Sequence, residues 1–169
     1  MKRIVVTGPA GAGKSEFASR LGERLGIRVV HLDTLFWKPG WVATPPTEWE
    51  ALQRRELAAP EWIVDSQVDD MVPEWLDTAD TVVFVDASPL RCLWRVARRR
   101  RNREASVGVP AQTEPGPVHR AVLKFARNQW RYRTAVRADL LAELARERDG
   151  RRVVTIRSRD DTAAFLDSL

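Results

Sequence analysis

The chain has 169 residues, 44% hydrophobic and 30% charged, with a net charge of +5 carried mostly by arginine. That is enough chain for one domain with a real core, and a single cysteine, Cys92, excludes an intrachain disulfide and fits a reducing compartment. No apolar stretch approaches the roughly 18 residues of a membrane span, and the run from Ile4 to Thr7 is too short for an export segment.

The expectation is therefore a cytoplasmic chain, monomer or homodimer, with no membrane partner. Arginine pairs bidentately with phosphate and never loses its charge, so the balance suits polyanionic ligands. Nucleotides and nucleic acids both qualify.

In chain order, Arg3–Thr7 is a β-branched run that predicts a buried strand. A glycine loop follows, and then a helix from Lys14 to Leu25, with Phe17, Ala18, Leu21 and Leu25 at helical spacing and Gly26 closing it. A second strand is predicted over 28–32, then an irregular stretch, DTLFWKPGWVATPP. Thr47 is expected to open a helix to about Ala58, with Glu50 completing a capping box. Further strands are predicted over 62–65, 81–86 and 152–156.

Ser88 is expected to cap a helix that carries Pro89 in its first turn and runs to about Arg103. Residues 104–116 read as a loop and 117–148 as a long helix. The last helix follows Ser158, with Asp160 and Asp161 in its first turn. Five apolar strands separated by helices predict a three-layer α/β fold, a parallel sheet covered on both faces, in one domain spanning 1–169.

Gly8-Pro9-Ala10-Gly11-Ala12-Gly13-Lys14-Ser15, followed by Glu16, matches G-x-x-x-x-G-K-[ST] at each fixed position. Phosphate oxygens need converging backbone N–H groups, which small residues and glycine conformations permit. The following helix adds unpaired N–H groups and a positive dipole end. Lys14 then reaches the β- and γ-phosphates of ATP, with GTP as the alternative, and the Ser15 hydroxyl ligates Mg2+.

Such a site needs a second acid for the metal, at the end of a neighbouring strand. Asp65 in WIVD and Asp86 in TVVFVD both qualify, and Asp65 is favoured if the third strand lies beside the first. Asp33 ends the second strand and opens onto the ligand crevice of a parallel sheet. It is a candidate to take the proton of an acceptor hydroxyl, to bind the acceptor, or merely to cap the turn at 34–36. His31 reads as a packed side chain.

On the helix from Pro89, Leu90, Leu93, Trp94 and Ala97 read as the apolar stripe, with Arg91, Arg95, Arg98 and Asn102 on another face. The long helix repeats the design, with Val118, Val122, Phe125, Tyr132 and Val136 on one stripe and Arg120, Lys124, Arg127 and Arg131 on another. Two basic faces flanking a proline- and glycine-containing loop suit a mobile lid whose cations close over phosphates. Arg95, Arg98, Arg127 and Arg131 are the candidate lid cations; a solvated charged face and a nucleic-acid surface are the alternatives. Phe36, Trp37, Trp41 and Trp49 either pack inward or present rings to a flat ligand.

These residues resemble the P-loop nucleotide kinases related to adenylate kinase. The closer resemblance is to the small bacterial "DNA topology modulation" group, carried by His31-Leu32-Asp33, by Leu35-Phe36-Trp37-Lys38-Pro39-Gly40-Trp41, by Trp62-Ile63-Val64-Asp65 and by Ile156-Arg157-Ser158. The resemblance implies a five-stranded sheet, an acceptor-binding segment at about 33–60 and a short lid at 104–116. It also implies an ATP- and Mg2+-dependent phosphotransferase of the nucleoside or nucleotide kinase type. Where that group has Gly-Asn after the third-strand Asp, and adenylate kinases have Gly, this chain has Ser66-Gln67. The departure points toward another small hydroxyl acceptor; a nucleotide-dependent nucleic-acid regulator is the third reading.

Overall fold

The computed structural model describes residues 1–38, 42–67, 71–102, 123, 125–127, 130, 132, 137–145 and 150–169. In chain order the elements are β1 (Arg3–Thr7), α1 (Lys14–Leu25), β2 (Val29–His31), α2 (Leu32–Phe36), β3 (Trp37–Lys38), β4 (Val42–Ala43) and α3 (Pro46–Leu57). They continue with β5 (Trp62–Asp65), α4 (Pro73–Thr78), β6 (Thr81–Val85), α5 (Pro89–Asn102), α6 (Arg137–Ala145), β7 (Arg152–Ile156) and α7 (Arg159–Asp167).

The β-branched runs pair as one parallel sheet of five strands in the order β2-β5-β1-β6-β7, while β3 and β4 form a small antiparallel pair. Residues alternate between faces along a strand, and β1 shows it. Ile4 and Val6 face a cluster with Phe17, Ala18 and Leu21 of α1 and Phe165 of α7. Val5 faces the opposite cluster, with Trp62, Trp75 and Phe84. Phe17 and Phe165 pack with ring centroids 6.0 Å apart on the first face, and Trp62 meets Trp75 edge-on at 4.7 Å on the second. The sheet is thus covered on both sides, as the sequence pattern predicts.

The register aligns the strand ends. Val6 and His31 both stand opposite Asp65, and Val85 stands opposite Ile156, so the strand C-termini line one edge. The third main strand does lie beside the first. α1 spans the predicted residues and stops at Gly26, whose φ of 69° suits glycine. α7 has the capping box at Ser158 and Asp161.

Three local expectations are corrected. α3 begins at Pro46, not Thr47, and has no side-chain cap, because Pro45 and Pro46 already set the extended-to-helical transition. The stretch read as irregular holds the short helix α2 and the β3–β4 pair. On α5 the apolar stripe is misread. Leu90 and Trp94 are 80% and 59% exposed, while Cys92 is buried and Leu93 and Val96 pack with it against the core. The lid at 104–116 lies outside the described residues, as do Arg131 and most of the long helix.

Candidate active site

The turn leaving β1 is fixed by its glycines. At Gly8 φ is 145°, and an added Cβ would stand 2.4 Å from the Val85 carbonyl oxygen of the neighbouring strand. At Gly11 a Cβ would meet the Cys92 carbonyl oxygen at 2.8 Å, because α5 packs directly on the loop. Ala12 N–H donates to the Pro9 carbonyl at 3.1 Å, closing the turn. Lys14 Nζ donates to the same oxygen at 3.2 Å, so the ammonium arches over the loop. α1 has no side-chain cap at Gly13, which leaves its first N–H groups to an anion. Glu16 is exposed in that first turn.

Across from the loop, Asp65 is 6% exposed. Its Oδ2 accepts from His31 Nδ1 at 2.8 Å. Its Oδ1, together with Thr7 Oγ1 and Ser66 Oγ, is buried without a hydrogen-bond partner among the described residues. These atoms end adjacent strands, since β1 and β5 pair up to Val6 and Asp65. Buried polar atoms need a water or an ion, and a carboxylate oxygen with two hydroxyls is an oxygen set suited to hydrated Mg2+.

Asp86, the other candidate acid, is taken by Arg137. The guanidinium donates to its two oxygens at 2.9 and 3.4 Å, with Arg157 Nε 4.0 Å from Oδ2. That pairing ties the end of β6 to α6 and to the residues after β7.

Asp33 lies in the first turn of α2, whose N-cap is His31, so Asp33 is not the cap. It is exposed at the surface. Desolvation pushes its carboxyl above the ordinary carboxylate pKa; the Asp65 charge adds to that, while Lys14 and His31 oppose it. Lys14, His31, Asp33 and Asp65 therefore share one electrostatic neighbourhood.

The arginines divide. Arg95 reaches back from α5, its guanidinium donating to the Ala12 carbonyl and to the Gly11 carbonyl at 3.4 Å. Arg98 is exposed and lies over the Trp94 ring, 5.1 Å from its centroid. Arg127 is exposed on a helical stretch. Beside the loop is a cavity of about 320 Å3, lined by Ala12, Gly13, Glu16 and Phe17, by Arg20, Arg91 and Arg95, and by Ile156 to Arg159. Arg20, Arg157 and Arg159 were not singled out as site residues from the sequence. The signal lay in Ile156-Arg157-Ser158, which follows a parallel strand into the shared edge.

Trp41 lies outside the described residues, while Phe36, Trp37 and Trp49 pack on one another. Phe36 meets Trp37 at 4.8 Å and Trp49 at 5.2 Å, and Thr44 Oγ1 donates to the Phe36 carbonyl at 2.8 Å. Leu35 and Trp49 lean on the second core cluster.

Residues 4–107 match the AAA_18 family, described as an AAA domain, and the chain belongs to that family. No curated protein matches the sequence. The fold is similar to shikimate kinase from Bacteroides thetaiotaomicron, at 13% identity and a TM-score of 0.58, over 99% of this chain and 95% of that one. It is also similar to shikimate kinase from Acinetobacter baumannii in complex with shikimate, at 19% identity and 0.57, over 99% and 92%. An uncharacterized protein from Eubacterium ventriosum aligns at 16% identity and 0.52, over 98% and 93%. The five-stranded parallel sheet flanked by helices is the fold shared with these structures, and among the described residues no helix is long and apolar enough to cross a membrane.

Proposed function

We propose that this protein is a kinase that moves the γ-phosphoryl group of ATP, or of GTP, to a hydroxyl of a small acceptor. The reading rests above all on the phosphate loop facing a buried carboxylate, Asp65, that keeps one oxygen unpaired on the adjacent strand. In this assignment the backbone from Gly8 to Ser15 cradles the phosphates, and Lys14 leaves the Pro9 carbonyl to meet the transferred group. Ser15 and Asp65 hold Mg2+, whose charge when bound offsets that of the β- and γ-phosphates.

The acceptor oxygen forms a bond to the γ-phosphorus as the bond to the β,γ-bridging oxygen breaks. The hydroxyl proton passes to the Asp33 carboxylate and the bond electrons leave with the nucleoside diphosphate. A raised Asp33 pKa favours that proton transfer near neutral pH. Of the candidate lid cations, Arg95 has the supporting geometry, already touching the loop. Arg98, Arg127 and Arg131 are assigned to lid closure.

Two acceptor classes divide on Ser66. Its side chain is buried where adenylate kinases carry glycine beside the acceptor, which favours a non-nucleotide hydroxyl compound over a nucleoside monophosphate. The His31-to-Trp41 signature supports the narrower kinship with the "DNA topology modulation" proteins, without making DNA the substrate.

The test is acceptor-stimulated ADP release across nucleosides, nucleoside monophosphates, sugars and alicyclic alcohols such as shikimate. Lys14→Ala is expected to abolish turnover while its circular dichroism stays that of the wild type. Undiminished turnover in that variant would sink the mechanism. Steeply salt-dependent DNA binding without acceptor-stimulated release would instead favour the nucleic-acid reading.

A further inference from the structure

His31 carries no role in the reaction above, yet it holds the residue that reading depends on. A carboxylate at a strand end turns freely about its last torsion unless something fixes it. Here the fixing group is explicit. The imidazole Nδ1 is 2.8 Å from Asp65 Oδ2, and the two residues stand directly opposite each other in the β2–β5 register.

A carboxylate only accepts, so the ring must donate from Nδ1. The His31 side chain is 16% exposed, and α2 starts at the next residue, with Thr34 Oγ1 donating to the His31 carbonyl at 2.6 Å. The donor is therefore anchored by the strand on one side and by a helical turn on the other. Its bond occupies one oxygen of Asp65 and leaves the other buried and unpaired.

We propose that His31 is a positioning residue for Asp65. It locks the carboxylate plane and reserves Oδ1 for the hydrated cation of the bound nucleotide. This inference rests on the assignment of Asp65 above. Outer partners of metal-side carboxylates typically change metal affinity by about 10–100-fold when removed. The role thus separates from nucleotide grip. Losing His31 weakens the cation while leaving the phosphate loop intact.

The probe is Mn2+ in the presence of ATP, followed by electron paramagnetic resonance, with ATP binding in EDTA measured by calorimetry. His31→Phe keeps the ring volume but lacks the donor, and is expected to raise half-saturating Mn2+ about tenfold or more. His31→Asn, which restores an N–H donor, is expected to recover most of that loss. ATP affinity in EDTA is expected to match the wild type in both variants.

Unchanged Mn2+ affinity in His31→Phe overturns the proposal, and so does an equal loss of metal-free ATP binding, which marks a merely structural role. If wild-type protein with ATP takes up no Mn2+ at all, the kinase reading itself fails. Should His31→Phe not fold, nitrogen-15 spectra of the wild type decide, since only His31 and His119 contribute imidazoles. A protonated Nδ1 on His31 supports the proposal and a bare Nδ1 overturns it.

Discussion

Asp33 shows how the surroundings of a single carboxyl bear on stability. Crowding raises its carboxyl above the usual 3.8, so between the unfolded and folded values the native state binds more protons than the unfolded chain. Stability from this group therefore falls as pH rises through that window. Asp33→Asn is expected to melt higher than wild type at pH 7 and to lose that advantage below pH about 3.8, where both forms are neutral. If Asp33 takes the proton, the acidic limb of kcat/KM is expected above the ordinary carboxylate range, and the Asn variant is expected to lose turnover.

At this scale the glycine turn from Gly8 to Ser15 was legible because its residues are contiguous. The His31–Asp65 bond was not, since its partners lie 34 positions apart and only the strand register brings them together. Strand order already favoured Asp65 over Asp86, but the Arg137 partner of Asp86, 51 residues on, was not legible.

At the scale of elements, period and punctuation read well where an element is long and fully covered. α1, with Gly13 before it and Gly26 after it, is such a case. α5 misled because its charge dominates. The sequence offers Leu90 and Trp94 as a stripe, yet Cys92 is the buried residue, and the missing side chain of Gly11 is what lets the helix backbone come so near the loop. α4 has only six residues, too few for a period to show.

Its anchor is Gln53 of α3, whose buried Oε1 accepts from Val72 N–H at 3.1 Å and from Trp75 Nε1 at 3.0 Å. Gln53→Leu orphans two buried donors, each at about 1–3 kcal/mol, so urea unfolding is expected to shift its midpoint well below wild type with an unchanged slope. Ser158→Ala removes the α7 cap and is expected to lose about 1 kcal/mol.

Asp80 joins the start of β1 to β6. Burial pushes its carboxyl up, but bonds from Arg3 N–H, Thr81 Oγ1 and Lys2 N–H outweigh that, and the net shift is downward. Its contribution is present above the ordinary carboxylate pKa and is lost as pH falls through the depressed value. Asp80→Ala is expected to be less stable than wild type at pH 7, with the gap closing in acid melts.

For the whole molecule, alternating apolar runs and helices were enough to predict the layered sheet, and Asp65 beside the phosphate loop followed from its strand order. What they did not supply was that Arg20 of α1, with Arg157 and Arg159 beyond β7, lines one cavity with Arg91 and Arg95 of α5. If that arrangement grips a nucleotide, saturating Mg-ATP stabilises the folded chain by about 2.7 kcal/mol at one hundred times Kd. The melting temperature is then expected to rise with Mg-ATP in the wild type and to stay flat in Lys14→Ala.

The strand order also has a consequence for how the chain comes off the ribosome. The loop proposed to grip phosphate emerges early, but both neighbours of the strand before it, Trp62–Asp65 and Thr81–Val85, are made much later. Contacts so distant in sequence form late. A nascent chain stalled before Asp65 clears the exit tunnel would carry the whole glycine motif and still be blind to ATP.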